Sequence, residues 1–223
     1  MRRLIVPLVM VTLSVFAGCA VRIGDSSVAP GLRVTDPYTI VGRKSFIDGY
    51  DARHVNGDIN VVVEIPAGTT AKWEVDKADG NLRWEFKGGS PRRVKYLAYP
   101  ANYGMIPGTV MSKEMGGDGD PLDAIILGPA LPRGSVAQAK LIGVLKLLDK
   151  GERDDKLLLV VPDTPLYQVS DLNELDEKFV GVTTIVETWF SNYKGPGKMK
   201  SLGYADAREA RDVLDAAVKE FDR

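Results

Sequence analysis

Gly116-Gly117-Asp118-Gly119-Asp120-Pro121-Leu122-Asp123 places Asp118, Asp120 and Asp123 in one short stretch, stiffened by Pro121 and loosened by glycines. The apolar run Ala124-Ile125-Ile126-Leu127 follows at once and reads as a buried strand. Like charges held this close raise the cost of ionising each one. A bound cation removes that cost, and an all-oxygen donor set suits Mg²⁺ or Mn²⁺ before zinc or copper. The same residues also read as a solvated acidic turn, because Asp and Gly are ordinary turn formers. An EF-hand calcium loop is excluded. That loop needs glycine at its sixth position and glutamate at its twelfth, and counting from Asp118 gives Asp123 and Pro129.

Around this stretch lies a chain of 223 residues with a formal net charge of −1 and 44% apolar residues, enough for one domain with a sizeable core. The near-neutral balance argues against nucleic acid as a partner. His54 is the single histidine, so a histidine triad or a multi-histidine metal site has nothing to draw on. Cys19 is the single cysteine, which excludes intrachain disulfides and cysteine-rich zinc sites.

At the N-terminus, Arg2 and Arg3 precede an apolar run from Leu4 to Gly18, the pattern of an export signal over 1–18 and too short to span a bilayer comfortably. Its end, Phe16-Ala17-Gly18-Cys19, resembles the bacterial lipobox in Ala17, Gly18 and Cys19, with Phe16 where leucine is usual. The resemblance implies cleavage before Cys19, acylation of that cysteine, and export to the cell envelope with a lipid anchor. With Ala20 rather than aspartate next, it implies outer-membrane sorting in a two-membrane bacterium. A plain signal peptide or an uncleaved anchor is the alternative. Residues 19–58, rich in Gly, Ser, Pro and Asp, read as the acylated cysteine, a tether and an irregular lead-in.

The domain proper reads as 59–223. Strands are expected over 59–65, 71–76, 81–86, 94–99, 124–127, 136–148 and 156–161, with Asp79-Gly80 turning between the second and third. Seven short strands suggest a closed or nearly closed barrel. Phe179, Val182, Val186, Trp189 and Tyr193 recur at helical steps, as do Ala207, Ala210, Leu214, Ala217 and Phe221. A short acidic helix over 171–177 precedes them. The fold class is therefore α+β: one barrel-like domain with two C-terminal helices packed against it. Trp73, Trp84 and Trp189 read as core rather than as a stacking platform.

A second acidic cluster, Asp149-Lys150-Gly151-Glu152-Arg153-Asp154-Asp155-Lys156, lies where one apolar strand turns into the next. Alone it is a charged hairpin loop. Its company gives it weight: Glu64 lies in an otherwise apolar strand, and Lys72 and Glu74 share one face of an alternating strand. Tyr99 and Tyr103 bracket Pro100-Ala101-Asn102. Asp118-Gly119-Asp120-Pro121-Leu122-Asp123 matches a signature, Asp-x-Asp-Pro-hydrophobic-Asp, at every fixed position. In this signature, in Val63-Glu64-Ile65-Pro66, Lys72-x-Glu74 and Tyr99-Pro100-x-Asn102-Tyr103-Gly104, and in Asp149, Asp154, Lys156 and Tyr193-Lys194, the chain resembles the family I soluble inorganic pyrophosphatases.

That resemblance implies an OB-like closed β-barrel with additional strands, and Mg²⁺-dependent hydrolysis of pyrophosphate to two phosphates, with Mn²⁺ as a substitute. Asp118, Asp123 and Asp154 look like ligands of a first metal, Asp123 being shared with a second. Asp149 and Asp154 resemble ligands of a substrate-borne ion, and Glu64 an outer-sphere ligand of another. Lys72, Tyr103, Lys156, Tyr193 and Lys194 would face phosphate oxygens, Asp120 resembles the general base, and Glu74 has a supporting place. The chemistry needs no covalent nucleophile: two cations can activate a water, and lysines neutralise the leaving phosphate.

The pattern departs from the family at one arginine, where Pro91 stands with Arg92 and Arg93 beside it. Either can take that role. Lys198 is a further candidate ligand in a segment that looks short. Other classes stay open: a non-catalytic, anchored metal- or phosphate-binding protein on the same scaffold, or an OB-type oligonucleotide binder using Arg92, Arg93 and Lys95. The neighbouring carboxylates oppose the last. The expected partners are pyrophosphate, a membrane through the lipid anchor, and further copies of the chain in a homo-oligomer.

Overall fold

The computed structural model describes residues 21–223. The expected export signal over 1–18 and the acylation site Cys19 lie outside the described residues. Among those described, no helix is long and apolar enough to cross a membrane.

The chain opens with two small hairpins, β1 (Arg22–Ile23) with β2 (Ser26–Ser27) and β3 (Arg33–Asp36) with β4 (Thr39–Val41). After β5 (Ile59–Ile65), β6 (Trp73–Val75) and β7 (Leu82–Trp84) pair across the Asp79-Gly80 turn. They join the second hairpin in a four-stranded sheet, order β3-β4-β7-β6. β8 (Phe86–Lys87) and β9 (Ser90–Pro91) form a separate hairpin. The remaining strands are β10 (Asn102–Met105), β11 (Asp123–Leu127), β12 (Val136–Asp149), β13 (Glu152–Arg153), β14 (Lys156–Val160) and β15 (Met199–Asp206). The helices are α1 (Leu172–Lys178), α2 (Val182–Asn192) and α3 (Ala207–Phe221).

Five strands close on one another. β5 pairs with β10, β10 with β11, β11 with β14 and β14 with β12, and the start of β12 returns to β5. Only β11–β14 is parallel. The mixed α+β class expected from the sequence is present; of the closed barrel, the pairings give this ring. Long β12 pairs with β5, β13, β14 and β15, with register shifts between Leu141 and Gly143 against β14 and between Leu145 and Leu147 against β15. At the β5–β10 irregularity the backbones nearly touch. A Cβ on Gly104 would sit 1.8 Å from the Val62 carbonyl oxygen, so only glycine fits there.

Both faces of β5, β11 and β14 are buried, which is why these strands read as nearly unbroken apolar runs instead of alternating ones. Ala124, Ile126, Leu157 and Leu159 pack in one cluster with Ala210, Leu214 and Ala217 of α3. Ile125, Leu127, Leu158 and Val160 pack in another with Val186, Trp189 and Phe190 of α2. Trp73, Trp84 and Trp189 are all buried, as expected of core residues. Each of α1 and α3 starts at an aspartate whose carboxylate accepts a backbone N–H of the first turn: Asp171 from Glu174, and Asp206 from Arg208 and Glu209.

Two expectations need correction, and one strand is an addition to them. Residues 21–58 are no tether. Ile23, Val28, Ile40 and Phe46 are buried in a third cluster with Val62, Trp73, Leu82 and Trp84. Hydrophobic period failed to reveal this segment because its strands are two to four residues long. Residues 94–99 are not a strand either. That stretch is tied down at its ends, by Val94 N–H to Thr70 O (2.8 Å) and Tyr99 N–H to Thr69 O (3.0 Å), while Lys95, Tyr96 and Leu97 between them are exposed. The ring takes Asn102–Met105 in its place. Finally, β15 was not anticipated; its residues show no clean alternation and it is held by pairing with β12.

Candidate active site

One open cleft of ≈ 1450 Å³ is lined by Glu64, Lys72, Glu74, Arg92, Arg93 and Tyr103, by Asp118, Asp120, Asp123, Asp149 and Asp154, and by Lys156, Tyr193, Lys194 and Lys198. Every candidate site residue among the described residues is therefore brought to one place.

The turn before β11 holds its shape through its own backbone. The Asp118 carboxylate accepts the Asp120 N–H (3.0 Å), Gly119 adopts φ +85°, and Gly119 N–H and Asp120 O both bond to Met111 at 2.8 Å. Asp123 opens β11, directly in register with Lys156 at the start of β14. Asp149 ends β12, and the following turn uses positive φ at Lys150 and Gly151. The chain then divides its charges: Asp154 meets Lys156 and Lys194, while the neighbouring buried Asp155 pairs with Arg153 in the same cleft wall.

Ammonium groups meet these carboxylates one by one. Lys156 Nζ lies 2.5 Å from both Asp123 Oδ2 and Asp154 Oδ1. Lys194 Nζ is 2.7 Å from Asp149 Oδ2 and 3.8 Å from Asp154 Oδ2. Lys77 pairs with Asp120, and Lys72 stands 3.8 Å from Glu74. The rings behind this lattice are apolar: Tyr103 lies under Lys72 at 5.3 Å and under Lys156 at 5.9 Å, against Tyr99 and Phe190.

Burial and charge pull the titrations apart. Burial pushes the Glu64 carboxyl up to about 8, with Lys72 opposing. Burial also raises Asp118, joined by the charges of Asp120, Asp123 and Asp154. Asp154 is moved the other way: against burial, Lys156 and Lys194 hold it below the usual carboxylate value. Burial alone would lower Lys156, but Asp123 and Asp154 hold its ammonium well above the ordinary range.

The donor set fits a hard divalent cation. Asp149 Oδ1 and Asp154 Oδ2 are buried and accept no hydrogen bond, and such carboxylate oxygens in a cleft suit a hard cation as ligands. Among the described residues no three acidic, cysteine or histidine side chains already converge at ligand distances. Lysine ammoniums stand between the carboxylates, supplying the positive charge that a metal would supply.

The two arginine candidates differ. The β8–β9 hairpin closes so that the Arg92 N–H donates to Glu85 O (2.7 Å) and its guanidinium to the Glu85 carboxylate (2.6 Å and 2.7 Å) at the cleft rim. Arg93 leaves the cleft's centre, pairing with Asp25 at 3.0 Å and stacking on Trp84 at 4.9 Å. Lys77 and Glu85 line the cleft and were missed. Lys77 follows Lys72-x-Glu74 by three positions and offered a signal; Glu85 is paired with Arg92 only by the hairpin.

Comparison with known proteins is consistent with this geometry. The family model described as inorganic pyrophosphatase matches residues 61–222. The chain belongs to the inorganic pyrophosphatase family, a family of hydrolases. It is 39% identical over 165 residues to the inorganic pyrophosphatase of Gluconobacter oxydans, covering 72% of this chain and 90% of that one. The Sulfolobus acidocaldarius protein of the same name is 33% identical, with 72% and 90% covered. The solved inorganic pyrophosphatase of Helicobacter pylori superposes with a TM-score of 0.66 at 30% identity, covering 79% of this chain and 100% of that one. The type I enzyme of Toxoplasma gondii gives 0.76 at 26% identity over 82% and 92%. Membership implies a divalent metal cofactor.

Proposed function

We propose that the chain hydrolyses inorganic pyrophosphate to two phosphates with Mg²⁺, by direct attack of water. The observation that carries this is the meeting of Asp118, Asp120, Asp123, Asp149 and Asp154 with Lys72, Lys156 and Lys194 in one cleft. Asp118, Asp123, Asp149 and Asp154 would hold the ions, with Glu64 behind them. When bound, Mg²⁺ neutralises phosphate charge and makes water more acidic. Asp120 receives the proton of the attacking water. It is an exposed carboxylate of the turn, and its partner Lys77 is equally open to solvent, so the oxygen can be freed at small cost. Lys72, Lys156, Lys194, Tyr103 and Tyr193 orient the two phosphates and stabilise charge on the leaving one. Arg92, held at the rim by Glu85, supplies the arginine contact.

A purely metal-binding role has no need for a base beside the ligands. Phosphate release from pyrophosphate is the test. It should require Mg²⁺, continue in part with Mn²⁺, and stop in a chelator. Undiminished release in metal-free buffer would refute the metal mechanism, and no release with Mg²⁺ would refute the activity.

The N-terminal sequence supports export and acylation at Cys19. Val21 O already accepts the Val28 N–H (2.8 Å), so Ala20 alone would separate the acylated residue from the fold. The catalytic unit would then sit against the membrane instead of swinging on a tether. Intact mass of the native protein tests this: an unmodified terminus on either side of Cys19 rules acylation out. A homo-oligomer is the expected assembly, to be read by light scattering.

A further inference from the structure

Asp25 sits in the turn between β1 and β2, ahead of the region that matches the family. Its Oδ2 accepts the Thr70 N–H (2.9 Å), the Ala71 N–H (3.0 Å) and Arg93 Nη1 (3.0 Å). Its Oδ1 faces Arg133 Nη2 at 3.4 Å. Arg133 is wholly buried. Its Nε donates to Glu64 O (2.9 Å), Nη1 donates to Ile23 O (3.2 Å), and the guanidinium lies 4.8 Å from the Trp73 ring.

We propose that Asp25 is a positioning residue that sets the phosphate-binding side of the cleft from outside it. The inference rests on the reading that Lys72 and Arg92 contact phosphate. Ala71 immediately precedes Lys72, Arg93 immediately follows Arg92, and Arg133 grips the carbonyl of Glu64. One carboxylate therefore ties the Thr70 and Ala71 amides and the Arg93 side chain directly, and reaches the Glu64 carbonyl through Arg133. Lys72 and Arg92 are themselves joined, the Lys72 N–H donating to Arg92 O (3.0 Å), so a shift at either would carry to both. The charge matters as well as the shape. A buried guanidinium without its anion is strongly unfavourable, and Arg133 would be driven from Glu64 if Asp25 were lost. None of Asp118, Asp120, Asp123 or Asp154 bonds to Asp25, so the acidic cluster should keep its geometry.

A clasp that only stabilises the fold would change the melting temperature and leave substrate affinity alone. A positioning residue changes KM. Asp25→Ala should raise KM for pyrophosphate about tenfold, with kcat altered less than about threefold. Asp25→Glu, which keeps the charge, should recover most of that loss. Val28→Ala, which trims a buried side chain of the same segment while keeping its backbone bridge to Arg133 and the Asp25 carboxylate, should lower the melting temperature and leave KM unchanged. Asp25→Asn keeps the shape and an acceptor oxygen; if the alanine variant does not fold, a raised KM in this variant carries the proposal. Unchanged KM in the folded Asp25 variants overturns it, and so does an equal rise in Val28→Ala. Wild-type protein that releases no phosphate overturns the functional reading and this inference together; an active wild type with unaltered variants overturns the inference alone.

Discussion

The acidic side of the cleft and its Lys72–Arg92 side are held by different means. Asp118, Asp120, Asp123, Asp149 and Asp154 come from turns that begin or end ring strands, and the charges of the last four are met side chain to side chain by Lys77, Lys156 and Lys194. Such pairs can be exchanged for ions without moving the backbone. Lys72 and Arg92 are fixed through main-chain bonds to each other and to Glu85, with Asp25 and Arg133 behind. That side is set by the fold. The difference separates what should fail when charge is removed from what should fail when the scaffold is cut.

The largest effect should come from cutting the scaffold. A chain beginning at Ile59 lacks Ile23, Val28, Ile40 and Phe46, all buried against Val62, Trp73 and Leu82. At about 1.5–3 kcal/mol for each buried side chain, the loss of roughly 6 kcal/mol or more rivals a net stability of about 5–15 kcal/mol. We expect no cooperative thermal transition by circular dichroism. A folded, active 59–223 chain would mean that the two sides are independent.

Charge removal should spare the fold. Asp120→Asn should keep the melting temperature and lose on the order of 10²–10⁴ in kcat. Asp123→Asn should move the Mg²⁺ requirement upward, because that carboxylate is proposed to be shared between ions. Near wild-type turnover in Asp120→Asn would remove the base assignment while leaving the family intact.

Much of the acidic side was legible in the sequence because its residues are neighbours there: Asp118 to Asp123 in one turn, Asp149 to Lys156 in another. β11 and β14, which follow them, read as buried runs because both faces are covered. The Lys72–Arg92 side was legible only in part. Asp25, Glu85 and Arg133 meet their partners across long sequence distances, and no local period marks such a meeting. The N-terminal strands are too short to alternate, and β15 owes its place to the edge of β12. Arg92 and Arg93 are indistinguishable as letters; the β8–β9 hairpin decides which faces Glu85.

That decision gives a smaller, sharper test. Arg92→Gln removes a charged donor from the rim, and a charge-assisted hydrogen bond contributes about 1.5–3 kcal/mol, so KM should rise on the order of ten- to a hundredfold. Arg93→Gln should act more weakly, through its tie to Asp25 and the Trp84 face. Steady-state kinetics on both variants would reverse the assignment if Arg93 proved the more costly loss.

The smallest effect is a pH dependence of stability confined to the Asp25 clasp. Burial by itself raises the Asp25 carboxyl, but the amides of Thr70 and Ala71 and the Arg133 guanidinium outweigh it and hold the group below its usual value of 3.8. A carboxyl lowered in the folded state binds fewer protons there than in the unfolded chain. Its stabilisation is therefore complete above the unfolded value and is lost as pH falls through the folded one. Wild type should be more stable than Asp25→Asn at neutral pH, and the gap should close on acidification below the ordinary aspartate range. Melting temperatures of the two proteins across an acid series, in chelator so that the metal-site carboxylates contribute alike, measure it directly. A gap that stayed constant into strong acid would show that the carboxylate's charge is not what holds the segment, leaving its shape and the buried apolar contacts of Ile23 and Val28 to account for the clasp.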